Sequence, residues 1–166
     1  MKVNGKKLVE STRVLDVTLN GEPTSLVLTA VPPGFHEKMR LLGVYQLPTR
    51  PQRNKMLGAK VLNELVDDVD SPQWPVYLAA VQTATNRRLA FIVSQGLRNA
   101  TNVSFDTTLA SDTCEGWSTY GDTLYSELVG DGGITEAELY FLVNQISDLD
   151  NRFDLKKASE DFLDRQ

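Results

Sequence analysis

The sequence predicts an α+β fold: an N-terminal β-hairpin packed on a mainly α-helical domain of five to six helices. Three observations predict it. Apolar and polar residues alternate on both sides of Asn20-Gly21. Further along, apolar residues recur at helical spacing between capping and breaking residues. The chain has 166 residues, 41% of them hydrophobic, enough for one sizeable core. The predicted organisation is a loose polar arm over 1–11 and a single globular domain over 12–166, with the hairpin at about 12–31 and the helical part at about 34–164.

The hairpin rests on "STRVLDVTLNGEPTSLVLTAV". Leu15, Val17 and Leu19 alternate with Asp16 and Thr18, and Leu26, Leu28 and Ala30 alternate with Val27 and Thr29. Asn-Gly tolerates the positive φ that tight hairpin turns require. A two-stranded hairpin is marginal alone in water, so this one must pack on helices or pair with another chain. Pro32-Pro33 ends the second strand, because proline cannot donate to a ladder. A short helix is expected over Phe35 to Leu42, broken by Gly43 and Pro48.

A second helix is expected from Thr49 into the acidic run Asp67-Asp68-Val69-Asp70. Thr49 and Gln52 have capping-box spacing, Pro51 lies in the first turn, and Leu57, Val61 and Leu65 recur every four residues. The longest helix follows, with Ser71 as N-cap and Gly96 as its end. Its expected stripe is Trp74, Tyr77, Leu78 and Val81, continued by Leu89, Ile92 and Val93, and it reads as the central core helix. The Thr-, Ser- and Asn-rich stretch from Ala100 to Thr113 reads as a loop. Another helix buries Trp117, Leu124 and Leu128, and Gly132-Gly133 ends it. The next carries Leu139, Leu142, Val143 and Ile146 on one face, and the tail with Phe153, Phe162 and Leu163 is expected to add one more.

Chemistry is scarce. Glu138 invites an EF-hand alignment, with Gly132 at the sixth position and Asp131 at the fifth. The first position is then Glu127 and the third is Val129, which offers no oxygen, whereas calcium takes 6–8 oxygen ligands. The residues fit a capping box better, with Thr135 as N-cap and Glu138 three positions on. His36 is the single histidine and lies in no recognisable relay; it reads as a helix-start residue. Cys114, the single cysteine, permits no internal disulfide and no cysteine zinc cage, which fits a reducing cytoplasm. The acidic pairs Asp67-Asp68 and Asp148-x-Asp150 read as helix-end charges, and "GDGG" lacks the lysine and strand of a phosphate loop. Catalytic, cofactor-binding and metal sites are therefore expected to be none.

Charge is unevenly spread. Residues 1–98 carry 13 Lys+Arg against 8 Asp+Glu, residues 99–166 carry 4 against 14, and no Lys or Arg occurs from Asn99 to Asn151. Such a split could guide the packing of one copy on the next. The basic cluster Arg50, Arg53 and Lys55 is too small for a nucleic-acid surface on an acidic chain of net charge −5. No apolar run approaches the ~20 residues that span a bilayer, and the N-terminus has no secretory h-region. Neither nucleic acid nor membrane is an expected partner, and the two sequons at Asn99 and Asn102 would matter only in a secreted chain.

Three segments together resemble phage tail assembly chaperones of the long-tailed type: "VLDVTLNGEPTSLVLTAV", "SPQWPVYLAAVQTATNRRLAFIVSQGL" and "GWSTYGDTLYSELVGDGGITEAELYFLVNQI". They cover most of residues 12–146, and the likeness lies in element order and in the character of the helices. The resemblance implies a non-enzymatic protein of the host cytoplasm that binds the tape-measure protein or tail tube subunits, or copies of itself, before the tail polymerises. The alternative expectation is a virion structural protein of the tail, neck or baseplate. A small enzyme or a regulator of host defence is the third class, and the poverty of nucleophiles and ligands argues against the enzyme.

Overall fold

In the computed structural model the described residues are 2–3, 6–7, 12–130 and 133–163, with side chains described for 12–130 and 133–149. Lys2–Val3 (β1) and Lys6–Lys7 (β2) form a short antiparallel pair. The rest of the expected arm over 1–11 lies outside the described residues.

The alternation around Asn20-Gly21 folds as expected. Thr12–Leu19 (β3) pairs antiparallel with Glu22–Thr29 (β4), closing at Leu19↔Glu22. Asn20 and Gly21 both take positive φ, 50° and 81°, as a type I′ turn demands. The inner face carries the directly opposed pairs Leu15↔Leu26 and Arg13↔Leu28, with Leu26 and Leu28 fully buried. This hairpin packs on helices rather than standing alone, touching both the second and the fourth. The Arg13 guanidinium donates to the Gln145 side chain, and the Asn20 backbone N–H donates to Glu138 Oε1 at 2.8 Å.

Four helices lie among the described residues, fewer than the five to six expected: Phe35–Leu41 (α1), Trp74–Gly96 (α2), Cys114–Val129 (α3) and Glu136–Leu163 (α4). Two expectations account for the difference. The tail forms no helix of its own but continues α4; the side chains of Phe153, Phe162 and Leu163 lie outside the described set. The helix expected from Thr49 is instead a second hairpin, Gln52–Leu57 (β5) paired antiparallel with Lys60–Asp67 (β6). A spacing of four is ambiguous: Val61 and Leu65 share a face on a helix, but they also share a face on a strand, whose period is two. Gly58, at φ 60°, followed by Ala59, closes a two-residue turn with glycine first, and this turn breaks any helix there.

The core gathers β4, α1 and the three longer helices. Leu26 and Leu28 meet Met39, Val44, Leu89, Phe91, Val93, Leu124, Leu139, Leu142 and Ile146, with Val31, Leu97 and Leu128 at the margin. Phe91 is its hub, fully buried with Phe35 and Trp117 edge-on, both at 5.8 Å, and Tyr120 stacked at 6.1 Å. The helices approach closely at glycine. A Cβ on Gly96 would stand 2.3 Å from Ile146 Cδ1 of α4, and one on Gly121 would stand 2.8 Å from Phe91 Cζ.

Candidate interaction surface

The β5–β6 hairpin projects from the fold. Every residue from Gln52 to Val61 is exposed, and the two strands make no extensive packing with any other element. Met56 lies directly opposite Val61, and Asn54 opposite Leu65. With period-two alternation this places Met56, Val61 and Leu65 on one face. They are 56%, 57% and 61% exposed, an apolar face with no cover. On the other face Leu57, at the turn, is 69% exposed, and Leu62 and Val66 are half-buried.

Three of the basic side chains at the arm lie beside carboxylates. Arg50 pairs with Asp67, Arg53 lies 3.3 Å from Asp70 and 3.8 Å from Asp68, and Lys55 lies 3.1 Å from Glu64. The sequence pattern had grouped Arg50, Arg53 and Lys55 as one basic cluster; the fold strings them along the arm, each beside a carboxylate. Nor do the other arginines join them. Arg87 pairs with Asp122 at 2.7 Å, Arg88 lies over the Tyr45 ring at 4.9 Å, and Arg98 donates to the Ala30 carbonyl.

The arm leads directly into α2. Ser71 is not the helix N-cap but sits one turn earlier: its Oγ accepts from Gln73 N–H, and its carbonyl accepts from Trp74 N–H. The expectation of a core helix holds for the C-terminal half alone, since no residue of α2 before Leu89 is buried. Val76 and Leu78 are 56% and 48% exposed, while Trp74, Tyr77 and Val81 are half-buried. From Ser71 to Asn86 there is no charged side chain. The polar ones turn on their own helix: Thr83 and Thr85 donate to the carbonyls of Ala79 and Val81, and Gln82 donates to Asn86 at 2.7 Å. A solvated helix face normally carries charge, and this one carries none.

Elsewhere the candidate residues bond to their neighbours in the fold. His36 Nδ1 lies 3.1 Å from the Tyr45 hydroxyl, against Phe35. Burial, and then the Arg88 charge, hold His36 below its ordinary value; burial pushes the Tyr45 phenol up to about 12. At neutral pH both are uncharged. Thr135 and Glu138 form the reciprocal capping box: Thr135 N–H and Oγ1 donate to Glu138 Oε2, and Glu138 N–H donates to Thr135 Oγ1. These bonds and that from Asn20 hold the Glu138 carboxyl below its usual range. Glu127, the would-be first calcium ligand, instead accepts from the N–H groups of Asp106 and Thr107 and from the Thr107 hydroxyl. Burial raises its carboxyl, but these bonds outweigh that and lower it. Asp131 and Gly132 lie outside the described residues. Cys114 is an exposed thiol at the first position of α3. A shallow open depression lined by Asp16, Val17, Thr18, Pro23, Thr24 and Ser25 sits on the β3–β4 hairpin and brings together one charged group. Among the described residues no cluster of three or more His, Cys, Asp or Glu is placed to hold a metal, and no helix is long and apolar enough to cross a membrane.

Comparison of the chain with protein-family models, with curated proteins and with solved structures finds no match. The arm and the bare half of α2 were not anticipated as a surface. Two signals for them stand in the sequence: Gly58-Ala59 between apolar runs, a hairpin turn with glycine first, and the uncharged stretch from Ser71 to Asn86.

Proposed function

We propose that this chain is a non-enzymatic assembly protein of a phage tail: a chaperone that docks on the tape-measure or tail tube protein in the host cytoplasm before the tail polymerises. The supporting observation is the set of exposed apolar side chains: Met56, Val61 and Leu65 on one face of the arm, and Val76 and Leu78 on α2. Exposed apolar clusters mark binding surfaces, and Met56, Val61 and Leu65 form one on a single face of the arm. The family likeness of the first hairpin, of α2 and of the α3–α4 segment supplies the client class. Nucleic acid fits this surface poorly, because phosphate binding needs several cations free to release counterions, and the arm's Arg50, Arg53 and Lys55 are already beside carboxylates. Co-expression with a tape-measure or tube protein tests the proposal. The client is expected to stay soluble with the wild-type chain and to aggregate with Val61→Asp and Leu78→Glu. Equal aggregation with and without the wild-type chain would refute the chaperone.

The projecting arm itself favours a second reading, a structural subunit of the tail, neck or baseplate whose hairpin pairs with neighbouring subunits. Purified particles distinguish the two. A chaperone is absent from them, and a structural subunit is present at fixed stoichiometry.

A further inference from the structure

We propose that the outer edge of β3 is a docking site for an extended segment of a partner protein, one that alternates apolar residues with lysine or arginine and adds to the β3–β4 hairpin as a third strand. This surface is separate from the arm and from α2, and the inference does not depend on the identity of any client. Three observations support it.

The first is that one edge of the hairpin is closed and the other is open. A two-residue turn makes Leu19↔Glu22 a hydrogen-bonded pair, and the bonded pairs then alternate along the register at Val17↔Thr24, Leu15↔Leu26 and Arg13↔Leu28. The residues between them turn their backbone groups outward. On β4 that edge is occupied. Pro23 has no N–H to offer, the Ser25 carbonyl accepts from Asn102 Nδ2 at 3.0 Å, Asn99 donates to Thr29 Oγ1, and Arg98 donates to the Ala30 carbonyl just beyond. On β3 the outward groups belong to Thr12, Val14, Asp16 and Thr18, and among the described residues no strand but β4 pairs with β3. The strand is eight residues long and carries no proline, no lysine and no bulge, the usual devices that blunt an edge. A row of N–H and C=O groups at strand spacing is matched by an extended backbone, so the edge itself specifies the conformation of what binds.

The second is the half-covered apolar face along that edge. Leu26 and Leu28 of β4 are fully buried, whereas Leu15 and Val17 of β3 are only half-buried. α4 meets this hairpin where Glu138 accepts from Asn20 and Gln145 accepts from Arg13. Phe141 lies three residues after the first and four before the second, hence on the same side of the helix, and it is 41% exposed. A third strand would set every second side chain beside Leu15 and Val17 on the inward face, which fixes those positions as apolar.

The third is charge. Asp16 stands exposed on the outward face at mid-strand. α4 adds Glu136, Glu138 and Asp148, and no Lys or Arg occurs from Asn99 to Asn151. A strand with cations at its outward positions places one beside Asp16, and opposite charges across a strand pair are favourable. The same carboxylate disfavours a second copy. In the centred antiparallel registers of β3 on β3, Asp16 lies opposite or diagonal to its own counterpart, where like charges repel.

The test uses the isotopically labelled full chain and three synthetic eight-residue peptides. One alternates valine with lysine, one alternates valine with glutamate, and the third is the valine–lysine peptide methylated on the lysine backbone nitrogens, which would face β3. Hydrogen exchange is read at single amides by NMR. The valine–lysine peptide is expected to slow exchange at Val14, Asp16 and Thr18 at least tenfold, and the other two peptides to bind at least tenfold more weakly. Asp16→Lys should reverse the preference between lysine and glutamate, and because Asp16 is exposed the circular-dichroism melt should stay in place. No gain in protection at these three amides overturns the inference. Equal binding of the methylated peptide also overturns it, since that marks adhesion of side chains without strand pairing. Protection that grows with protein concentration in the absence of peptide assigns the edge to a second copy and overturns it too. Strand pairing with a chain that fails to keep a tail protein soluble would support this inference and refute the chaperone; loss of pairing with client solubility intact would do the reverse.

Discussion

Phe91 decides more of the core than any other single residue. Its ring touches aromatic side chains from α1, from the turn after α1 and from α3. Phe91→Ala should cost about 3–5 kcal/mol, the range for emptying a buried aromatic site, read as a fall in the urea midpoint with the slope unchanged. Gly96 matters for the opposite reason. The Cβ of Gly96→Ala would collide with Ile146, and overpacking of this kind costs about 1–3 kcal/mol; Ile146→Val in the same chain should recover part of the loss. A third residue links two elements. Glu138 closes the α4 capping box and also accepts from the backbone of Asn20 at the β3–β4 turn. Its carboxylate therefore steadies both a helix start and a hairpin tip, which the sequence pattern alone assigned only to the helix.

At the scale of elements, the two hairpins contrast. Both close through two-residue turns with positive-φ residues, yet β3–β4 packs on helices while β5–β6 makes no extensive contact with any. An isolated ribbon is marginal in water, so local stability should follow packing. Backbone amides of β5 and β6 are expected to exchange orders of magnitude faster than those of β4. Equal protection of the two hairpins at high dilution would contradict the free-standing arm. α2 is divided in the same way. Substitutions in its first half, such as Leu78→Glu, should move stability by no more than about 0.5 kcal/mol, whereas changes at Leu89 or Val93 belong to the core.

For the whole molecule, acid should act in two steps. Folded His36 titrates below its ordinary 6.5, so the unfolded chain binds the extra proton first as pH falls. The stability held by neutral His36 is complete above about 6.5 and drains away as pH drops toward its folded value. Glu127 and Glu138 also titrate below the ordinary 4.5 when folded. Their contribution is complete above that value and is lost as pH falls through the folded ones. Urea titrations from pH 8 to 3 should show stability falling in both windows, and His36→Gln should flatten the upper one alone.

Local chemistry was sufficient for much of this protein. Asn20-Gly21 can close a hairpin with no help from the rest of the chain, Thr135 and Glu138 satisfy each other within one turn, and the spacing of Leu139, Leu142, Val143 and Ile146 belongs to a helix alone. From Thr49 to Asp67 the pattern was ambiguous, because residues four apart share a face in both strand and helix, and the turn at Gly58 settled the matter. What only the tertiary structure decided is which apolar faces find cover. Leu89 and Leu78 look alike along the chain, but the first is buried and the second is 48% exposed. Burial depends on what the fold brings alongside, a property of the whole arrangement that no local spacing encodes.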